Sequence, residues 1–313
     1  MPDLLYHHSI MLNDEIRMQA YGRAIAQVVK PGDVVVDIGC GLGILSFLAL
    51  KAGAKKVYAI EADASTLQLA RKFAEQNHFL KQITFIKKLS GQVRLPEKAD
   101  VIVSEILGSL AIDENILPTL LDAKKRFLKK GGKIIPEQFS LYAVPVDFTP
   151  WTKTLARFKS IQCHSEPSLP RTRSGEESSV SNLHFLLDEI DTPMDVRAES
   201  IPPEYFLSKP QCLAQINLLE NSNPSLNCQA DFNIERPGTL SGFAGWFETQ
   251  LFGHHTFSTA PTEAPTHWKQ AFLPLKVSEP VAPGKLLKFF FTSDPDRIPP
   301  GPDNMITYGY ELD

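Results

Sequence analysis

Short apolar runs alternate with amphipathic stretches from Asn13 to about Gln138. Four of the runs are uninterrupted and rich in β-branched residues, which is typical of buried parallel strands: they lie at 34–38, 57–61, 83–87 and 100–105. Three of the stretches have the periodicity of helices: they lie at 44–52, 65–76 and 115–129. Strands and helices that alternate in this way predict a doubly wound α/β domain.

The pattern changes after residue 138. Strand-like segments such as 242–252 and 285–293 now follow one another, divided by Pro, Gly and Asn, and this predicts an all-β domain built as a barrel or a sandwich. Between about 147 and 200 the chain is polar, rich in turn residues and without clear periodicity, so we expect an insertion that carries a surface loop. The predicted domains are therefore residues 1–138 and 139–313.

The composition is that of an ordinary globular protein. Hydrophobic residues make up 43%, charged residues 22%, and the net charge is −4, which excludes a disordered chain and a strongly basic nucleic-acid binder. The four cysteines form no CxxC pair, so we expect free thiols in a reducing cytoplasm and no metal site. The first residues lack the pattern of a signal peptide, and no apolar stretch approaches the roughly 18 residues of a membrane span.

The strongest local motif is a glycine-rich turn after the first predicted strand. Asp37, Gly39, Gly41 and Gly43 belong to the segment D-I-G-C-G-L-G, where glycines allow a sharp turn and close approach of a ligand. Glu61 ends the next strand, 20 residues after Gly41, where a carboxylate can accept hydrogen bonds from both hydroxyls of a ribose. The G-x-G-x-G spacing favours S-adenosylmethionine over NAD. The alternative is a turn that only packs a helix on the sheet.

Arg17 lies in the first turn of another predicted helix, where the helix dipole disfavours a cation. Asn13 and Asp14 can cap this helix, whose apolar residues recur at helical spacing from Ile16 to Val28. A buried anionic group, such as the carboxylate of a methionine moiety, would justify the arginine. The alternative is a solvated ion pair with Asp14.

Two carboxylates follow the fourth predicted strand. Glu105 comes at its carboxyl end, where ligands bind in doubly wound sheets, and Glu114 returns nine positions later after a short hairpin that contains glycine. Two converging carboxylates repel each other unless a cation lies between them. A guanidinium meets carboxylate oxygens with a planar fork and is therefore the expected cation. The alternative is a solvated loop.

Four segments, in the order of the chain, closely resemble the protein arginine methyltransferases: they are YHHSIMLNDEIR, VVVDIGCGLGILSFLALKAGAKKVYAIEA, SEILGSLAIDEN and STAPTEAPTHWKQA. The resemblance implies a class I S-adenosylmethionine-dependent enzyme. Its Rossmann-like domain would be followed by a β-barrel domain with an inserted dimerisation arm at about 147–200. The family forms ring-shaped homodimers through that arm, so a homodimer is expected.

The resemblance also implies roles for particular residues. The cofactor would be bound by one group of residues: Met11, Arg17, Asp37, Gly39, Gly41, Gly43, Glu61 and Ser90. Arg17 would bind its carboxylate, Glu61 would hold its ribose, and Met11 would flank the site of methyl transfer. Glu105 and Glu114 would be the paired acids that hold arginine. His267, in the triplet Thr-His-Trp, would pair with Asp14 at the mouth of the active site.

The chain departs from the family pattern at several positions. Ile106 replaces a tryptophan, Asp113 adds a third acid, and Gly91, next to Ser90, stands where many members have an acid that contacts adenine. Only Met1 to Tyr6 correspond to the aromatic helix that covers the cofactor, so a looser pocket or a covering partner is expected. The alternatives are an N-methyltransferase for a small guanidine or amine such as free arginine or agmatine, a non-catalytic binding protein, and a nicotinamide oxidoreductase.

Overall fold

A parallel sheet packed with helices forms the first region of the chain. The computed structural model describes residues 2–150, 153, 197–295 and 306–313. Five strands pair in the order β3-β2-β1-β4-β5: β1 (Val34–Ile38), β2 (Lys56–Glu61), β3 (Ile83–Lys87), β4 (Ala99–Ser104) and β5 (Leu128–Ile135). The α-helices are α1 (Pro2–Asn13), α2 (Glu15–Val28), α3 (Ile44–Lys51), α4 (Ala64–Gln76) and α5 (Ile116–Phe127). The predicted doubly wound α/β fold is confirmed.

Two elements of this region have no counterpart among the predicted ones. Among the α1 side chains that the structure describes, those of Tyr6, Ile10 and Leu12 are 65%, 40% and 40% exposed. In β5 the paired glycines and lysines of the segment LKKGGKII interrupt the apolar run. The hydrophobic periodicity on which sequence prediction depends is therefore missing from both.

Antiparallel strands form the second region. One sheet has the order β7-β12-β10-β6-β8 with β11 added on β10, and a three-stranded sheet has the order β14-β13-β9. The strands are β6 (Gln138–Val146), β7 (Arg197–Glu199), β8 (Gln211–Asn217), β9 (Leu226–Asn233), β10 (Gly238–Phe252), β11 (His255–Ser258), β12 (Gln270–Val281), β13 (Leu286–Ser293) and β14 (Ile306–Leu312). In β13 buried and half-buried side chains alternate, as expected for a strand with one face on the core. The predicted all-β region is confirmed.

The two regions share one hydrophobic core, which runs from Ala20 in α2 to Ile306 in β14. A polar contact also joins them. The ammonium group of Lys124 on α5 donates hydrogen bonds to the carbonyl oxygens of Leu218, Leu219 and Asn221, at 2.9, 3.0 and 2.6 Å. These carbonyls belong to the loop between β8 and β9, so α5 is attached directly to the antiparallel region.

The predicted insertion at about 147–200 lies largely outside the described residues, which omit 151, 152 and 154–196. The dimerisation arm therefore stays a prediction. Among the helices in the described part of the chain, none combines the length and the apolar character needed to cross a membrane.

Candidate active site

Two adjoining cavities lie where β1, β2 and β4 end. The glycine-loop cavity, of about 370 Å³, is enclosed by the glycine-rich turn, α1 and the end of β2. The acid-loop cavity, of about 350 Å³, is enclosed by the segment 105–114, α1 and residues 267–268. Met11, Glu105 and Glu114 line both cavities. A ligand in one cavity would therefore face a ligand in the other across these three side chains.

The glycine-rich turn has a backbone that requires glycine. Gly39 and Gly41 line the glycine-loop cavity and have φ values of 67° and 52°, a region that other residues rarely adopt. A Cβ on Gly39 would lie 2.5 Å from Ile106 Cγ2, and one on Gly41 would lie 3.3 Å from the Cε1 atom of His8. The missing side chains thus leave room for close packing beside a ligand.

Glu61 ends β2 at the wall of the same cavity. Its carboxylate accepts hydrogen bonds from the backbone N–H of Gly41, at 3.0 Å, and of Asp63, at 2.9 Å. These bonds fix the carboxylate beside the glycine-rich turn and leave it further acceptor capacity. The position suits the predicted acceptor for ribose hydroxyls.

Three predicted cofactor residues do not belong to the lining of the glycine-loop cavity: Asp37, Gly43 and Ser90. Asp37 is fully buried at the end of β1 and accepts a hydrogen bond from the Ser46 hydroxyl at 2.6 Å, while its Oδ1 atom has no hydrogen-bond partner. Burial raises the pKa of Asp37 to about 7. Gly43, with a φ of 83°, precedes α3 and supports the turn. The Ser90 carbonyl accepts a hydrogen bond from Arg126 at 2.8 Å.

Arg17 is buried and lines the glycine-loop cavity. Its guanidinium forms an ion pair with Glu105, with Nε 2.8 Å from Oε2, and donates to the Met11 carbonyl at 3.1 Å. Asp14 instead caps the helix by accepting a hydrogen bond from the backbone N–H of Arg17 at 3.0 Å. The alternative of a solvated Arg17–Asp14 ion pair is wrong, because the arginine side chain turns inward to Glu105.

A tight hairpin brings Glu105 and Glu114 to the same cavity. Gly108 and Ala111 form an antiparallel bridge, and residues Ile112–Glu114 form a 3-10 turn that returns the chain. Asp113 accepts a hydrogen bond from the Leu110 N–H at 3.0 Å, and its carboxyl group lies 2.2 Å from where a Cβ on Gly108 would be. Burial raises the pKa of Asp113. Asp113 lines the acid-loop cavity, but its hydrogen bond to the hairpin shows that it also stabilises the loop.

His267 and Asp14 are in contact at the acid-loop cavity, although 253 residues separate them. The Asp14 carboxylate lies 2.8 Å from the Nδ1 atom of His267 and accepts its backbone N–H at 2.9 Å. Burial alone would raise the pKa of Asp14, but hydrogen bonds from the His267 ring and from two backbone N–H groups outweigh burial and lower it. The result is an ionised carboxylate that orients the imidazole ring.

Two further residues belong to the site: His8, to which the sequence assigned no role, and Trp268, which the sequence placed in the triplet Thr-His-Trp. The His8 ring packs over Gly41 in the glycine-loop cavity, so α1 itself supplies part of the cover that the sequence was expected to lack. The Trp268 indole N–H donates to the Leu107 carbonyl, and its ring lies 4.0 Å from that of His267. No periodic pattern marks either residue. Within the described ranges, no group of His, Cys, Asp and Glu side chains is arranged to hold a metal ion.

The two regions match different family models. Residues 22–137 match the model described as ribosomal protein L11 methyltransferase, and residues 181–311 match the arginine methyltransferase oligomerization subdomain. Over 274 residues the chain is 30% identical to protein arginine N-methyltransferase 1 of Dictyostelium discoideum, covering 85% of this chain and 75% of that protein. The chain belongs to the protein arginine N-methyltransferases. Another relative is protein arginine N-methyltransferase 6 of Xenopus tropicalis, 29% identical over 273 residues, with 85% and 77% covered.

Solved structures of the family show the same fold. Protein arginine methyltransferase 10 of Arabidopsis thaliana superposes with a TM-score of 0.82 at 25% identity, covering 98% of this chain and 93% of that chain. The Trypanosoma brucei PRMT1 enzyme–prozyme complex with AdoHcy superposes with a TM-score of 0.76 at 23% identity, with the same two coverages. The order of a parallel sheet followed by an antiparallel region is thus the order found in this family.

Proposed function

We propose that this protein transfers a methyl group from S-adenosylmethionine to the guanidino group of arginine in protein substrates. The observation that carries the proposal is the wall of Met11, Glu105 and Glu114 shared by the two cavities. On one side of this wall lie glycine backbone, Glu61 and Arg17, which suit a nucleoside with a methionine moiety. On the other side lie carboxylates, which suit a guanidinium.

The glycine-loop cavity fits the cofactor on its own features. Gly39 and Gly41 present backbone without side chains at the cavity wall, the Glu61 carboxylate can accept the ribose hydroxyls, and Arg17 can pair with the carboxylate of the methionine moiety. The Trypanosoma brucei relative was solved with AdoHcy. When bound here, S-adenosylmethionine supplies an electrophilic methyl group next to the shared wall.

The residues of the acid-loop cavity would bind and orient the arginine. Glu105 and Glu114 would hold two nitrogens of the guanidinium and draw its positive charge toward them, which leaves the third nitrogen more nucleophilic. Alignment of reacting groups can lower a barrier by about 7 to 11 kcal/mol, so positioning would supply most of the acceleration. As the N–C bond forms, the bond from the methyl group to the donor sulfur would break to leave S-adenosylhomocysteine, and one proton would leave the nitrogen. His267, oriented by Asp14, or one of the glutamates would accept this proton.

We further propose a homodimer that works in the cytoplasm, with domains at 1–138 and 139–313. The match of residues 181–311 to an oligomerization subdomain supports self-association. Cys40, Cys212 and Cys228 are free thiols, which suits a reducing compartment. The parallel sheet ends at Ile135 and the antiparallel region begins at Gln138, which supports the boundary. The net charge of −4 gives no reason to expect a nucleic-acid partner.

The test is transfer of labelled methyl to an arginine-rich peptide and to free guanidines, with Glu105→Gln alongside. We expect labelled peptide, and a loss of about 100-fold in kcat for the variant, because a neutral amide cannot hold the guanidinium charge. Binding of S-adenosylhomocysteine by calorimetry shows whether the variant keeps its cofactor cavity. Glu248→Gln is the matched control, since Glu248 is exposed and contacts Tyr142 in the antiparallel region.

Each outcome assigns the protein to one class. Parental activity in Glu105→Gln would refute the paired-acid mechanism. Label in a free guanidine alone would place the protein in small-molecule metabolism. Cofactor binding without transfer to either acceptor would favour a non-catalytic binding protein.

A further inference from the structure

Helix α2 presents two polar side chains to the end of β4. Arg17 and Tyr21 are four residues apart and so lie on the same face of the helix. Arg17 holds the carboxylate of Glu105. Tyr21 donates its phenolic hydrogen to the carbonyl oxygen of Ser104, the residue before Glu105, at an O···O distance of 3.1 Å. The side chain of Glu105 and the backbone of Ser104 are therefore both hydrogen-bonded to α2.

A second hydrogen bond fixes Ser104 to the neighbouring strand β1. Its hydroxyl donates to the carbonyl oxygen of Ile38 at 2.8 Å, and Ile38 lies opposite Ser104 in the parallel pairing of β1 with β4. Ile38 directly precedes Gly39, the first residue of the glycine-rich turn. The two hydrogen bonds of Ser104 thus connect α2, the acid loop and the turn at the point where the two cavities meet.

Neither bond can be replaced by water without a rearrangement. The side chain of Tyr21 and Ser104 as a whole are fully buried. Burial raises the pKa of Tyr21, which favours the neutral hydroxyl that donates to Ser104. Tyr21 lines neither cavity and so touches neither ligand. Any effect of Tyr21 on the reaction must therefore act through Ser104 and Glu105.

We propose that Tyr21 is a positioning residue that fixes Glu105 for the arginine substrate, with Ser104 as the connecting residue. The proposal rests on the proposed function, in which Glu105 holds the guanidinium. A guanidinium fork accepts little displacement of its carboxylate, and a misplacement of about 1 Å can cost about 100-fold in rate. The hydrogen bond to Ser104 restricts the backbone from which Glu105 extends.

The test uses Tyr21→Phe, which keeps the buried ring and removes one hydroxyl. We expect kcat for peptide methylation to fall by about 10-fold, since a partial displacement costs less than a full ångström. Affinity for S-adenosylhomocysteine should change by less than about 2-fold, because Glu61 and the glycine turn are untouched. Tyr308→Phe is the matched control. Its hydroxyl donates to another backbone carbonyl, that of Pro274 at 2.6 Å, in the antiparallel region.

A double-mutant cycle separates positioning from general support of the fold. Peptide affinity is measured with S-adenosylhomocysteine saturating, in the parent, Tyr21→Phe, Glu105→Gln and the double variant. If Tyr21 acts through Glu105, its substitution weakens peptide binding in the parent by about 10-fold and has little further effect when Glu105 is already Gln. Equal losses in both backgrounds would assign Tyr21 a structural role only and overturn the proposal, as would parental kcat in Tyr21→Phe.

A second variant covers the case in which Tyr21→Phe does not fold. Ser104→Ala keeps the carbonyl that accepts from Tyr21 and removes the hydroxyl bond to Ile38, so the same cycle with Glu105→Gln gives the same two outcomes. Failure of the proposed function is distinguishable from failure of this inference. A parent protein that methylates no arginine refutes the function, whereas an active parent whose Tyr21 and Ser104 variants match it refutes the positioning role alone.

Discussion

The glycine-loop cavity and the acid-loop cavity share a wall but are assembled differently. Every residue that lines the first lies between His8 and Glu114, within the first region of the chain. The second also needs His267 and Trp268 from the antiparallel region. Cofactor binding should therefore depend on one region, whereas arginine binding should depend on the contact between two.

The two cavities also differ in chemistry. The first offers the backbone of a tight turn, one cation in Arg17 and the fixed carboxylate of Glu61. Glu105 and Glu114 line both cavities, and the second adds Asp113 and His267. We therefore expect the first cavity to bind a zwitterionic nucleoside and the second to bind a cation.

The largest expected effect comes from removing one charge from each cavity in turn. Glu61→Gln should weaken S-adenosylhomocysteine binding by about 10- to 100-fold, because a hydrogen bond to a charged group is worth about 1.5 to 3 kcal/mol. Glu114→Gln should weaken the arginine peptide by a similar 10- to 100-fold and, because Glu114 lines both cavities, weaken S-adenosylhomocysteine less than Glu61→Gln does. Calorimetry with S-adenosylhomocysteine and with the arginine peptide measures both affinities. Equal losses of both affinities in either variant would break the distinction between the cavities.

A smaller effect on stability and on peptide binding is expected where α5 contacts the loop between β8 and β9. Lys124→Met removes the ammonium that binds three carbonyls of the loop between β8 and β9. We expect the free energy of unfolding to fall by about 2 kcal/mol, and KM for the peptide to rise while cofactor affinity is kept. Denaturant unfolding and steady-state kinetics measure these quantities. Lys125→Met, at the exposed neighbouring position, is the control and should change neither.

If Lys124→Met loses cofactor affinity while its KM for the peptide stays unchanged, the contact made by Lys124 does not support the acid-loop cavity.

A further prediction concerns the pH dependence of stability inside the first region. Burial raises the pKa of Asp37 to about 7, against about 3.9 in an unfolded chain. Between these values the native state holds a proton that the unfolded state has lost. The free energy of unfolding therefore falls as the pH rises through this window, by up to about 1.4 kcal/mol per pH unit. Asp37→Asn should lack this fall while still accepting the Ser46 hydrogen bond.

Urea unfolding from pH 4 to pH 8 compares the two proteins. The advantage of Asp37→Asn should grow up to about pH 7 and then stay constant. Parallel stability profiles would show that Asp37 is ionised throughout this range.

Local patterns predicted most of the first region and the acids of the site. The strands at 34–38 and 83–87 were predicted at their observed bounds because apolar residues mark both, although Thr84 and Lys87 of the edge strand β3 are exposed rather than buried. Glu105 and Glu114 were placed in one cavity because the segment between them is short. Sequence spacing alone predicts a contact when the residues that make it are close in the chain.

The contacts between remote segments could not be predicted from local patterns. Arg17 pairs with Glu105 across 88 residues, and Trp268 binds the Leu107 carbonyl across 161. Such contacts depend on how helices and sheets pack, which no periodicity encodes. Asp37 shows the converse: it belongs to the glycine motif by sequence, yet its side chain points under the turn to Ser46.

The contact between Asp14 and His267 has a consequence for the order in which the site forms during synthesis. The ribosome completes the lining of the glycine-loop cavity with Glu114 but reaches His267 about 150 residues later. At about 5 to 20 residues per second this interval lasts roughly 8 to 30 seconds. For that time the nascent chain has every residue that lines the glycine-loop cavity but lacks His267 and Trp268 of the acid-loop cavity.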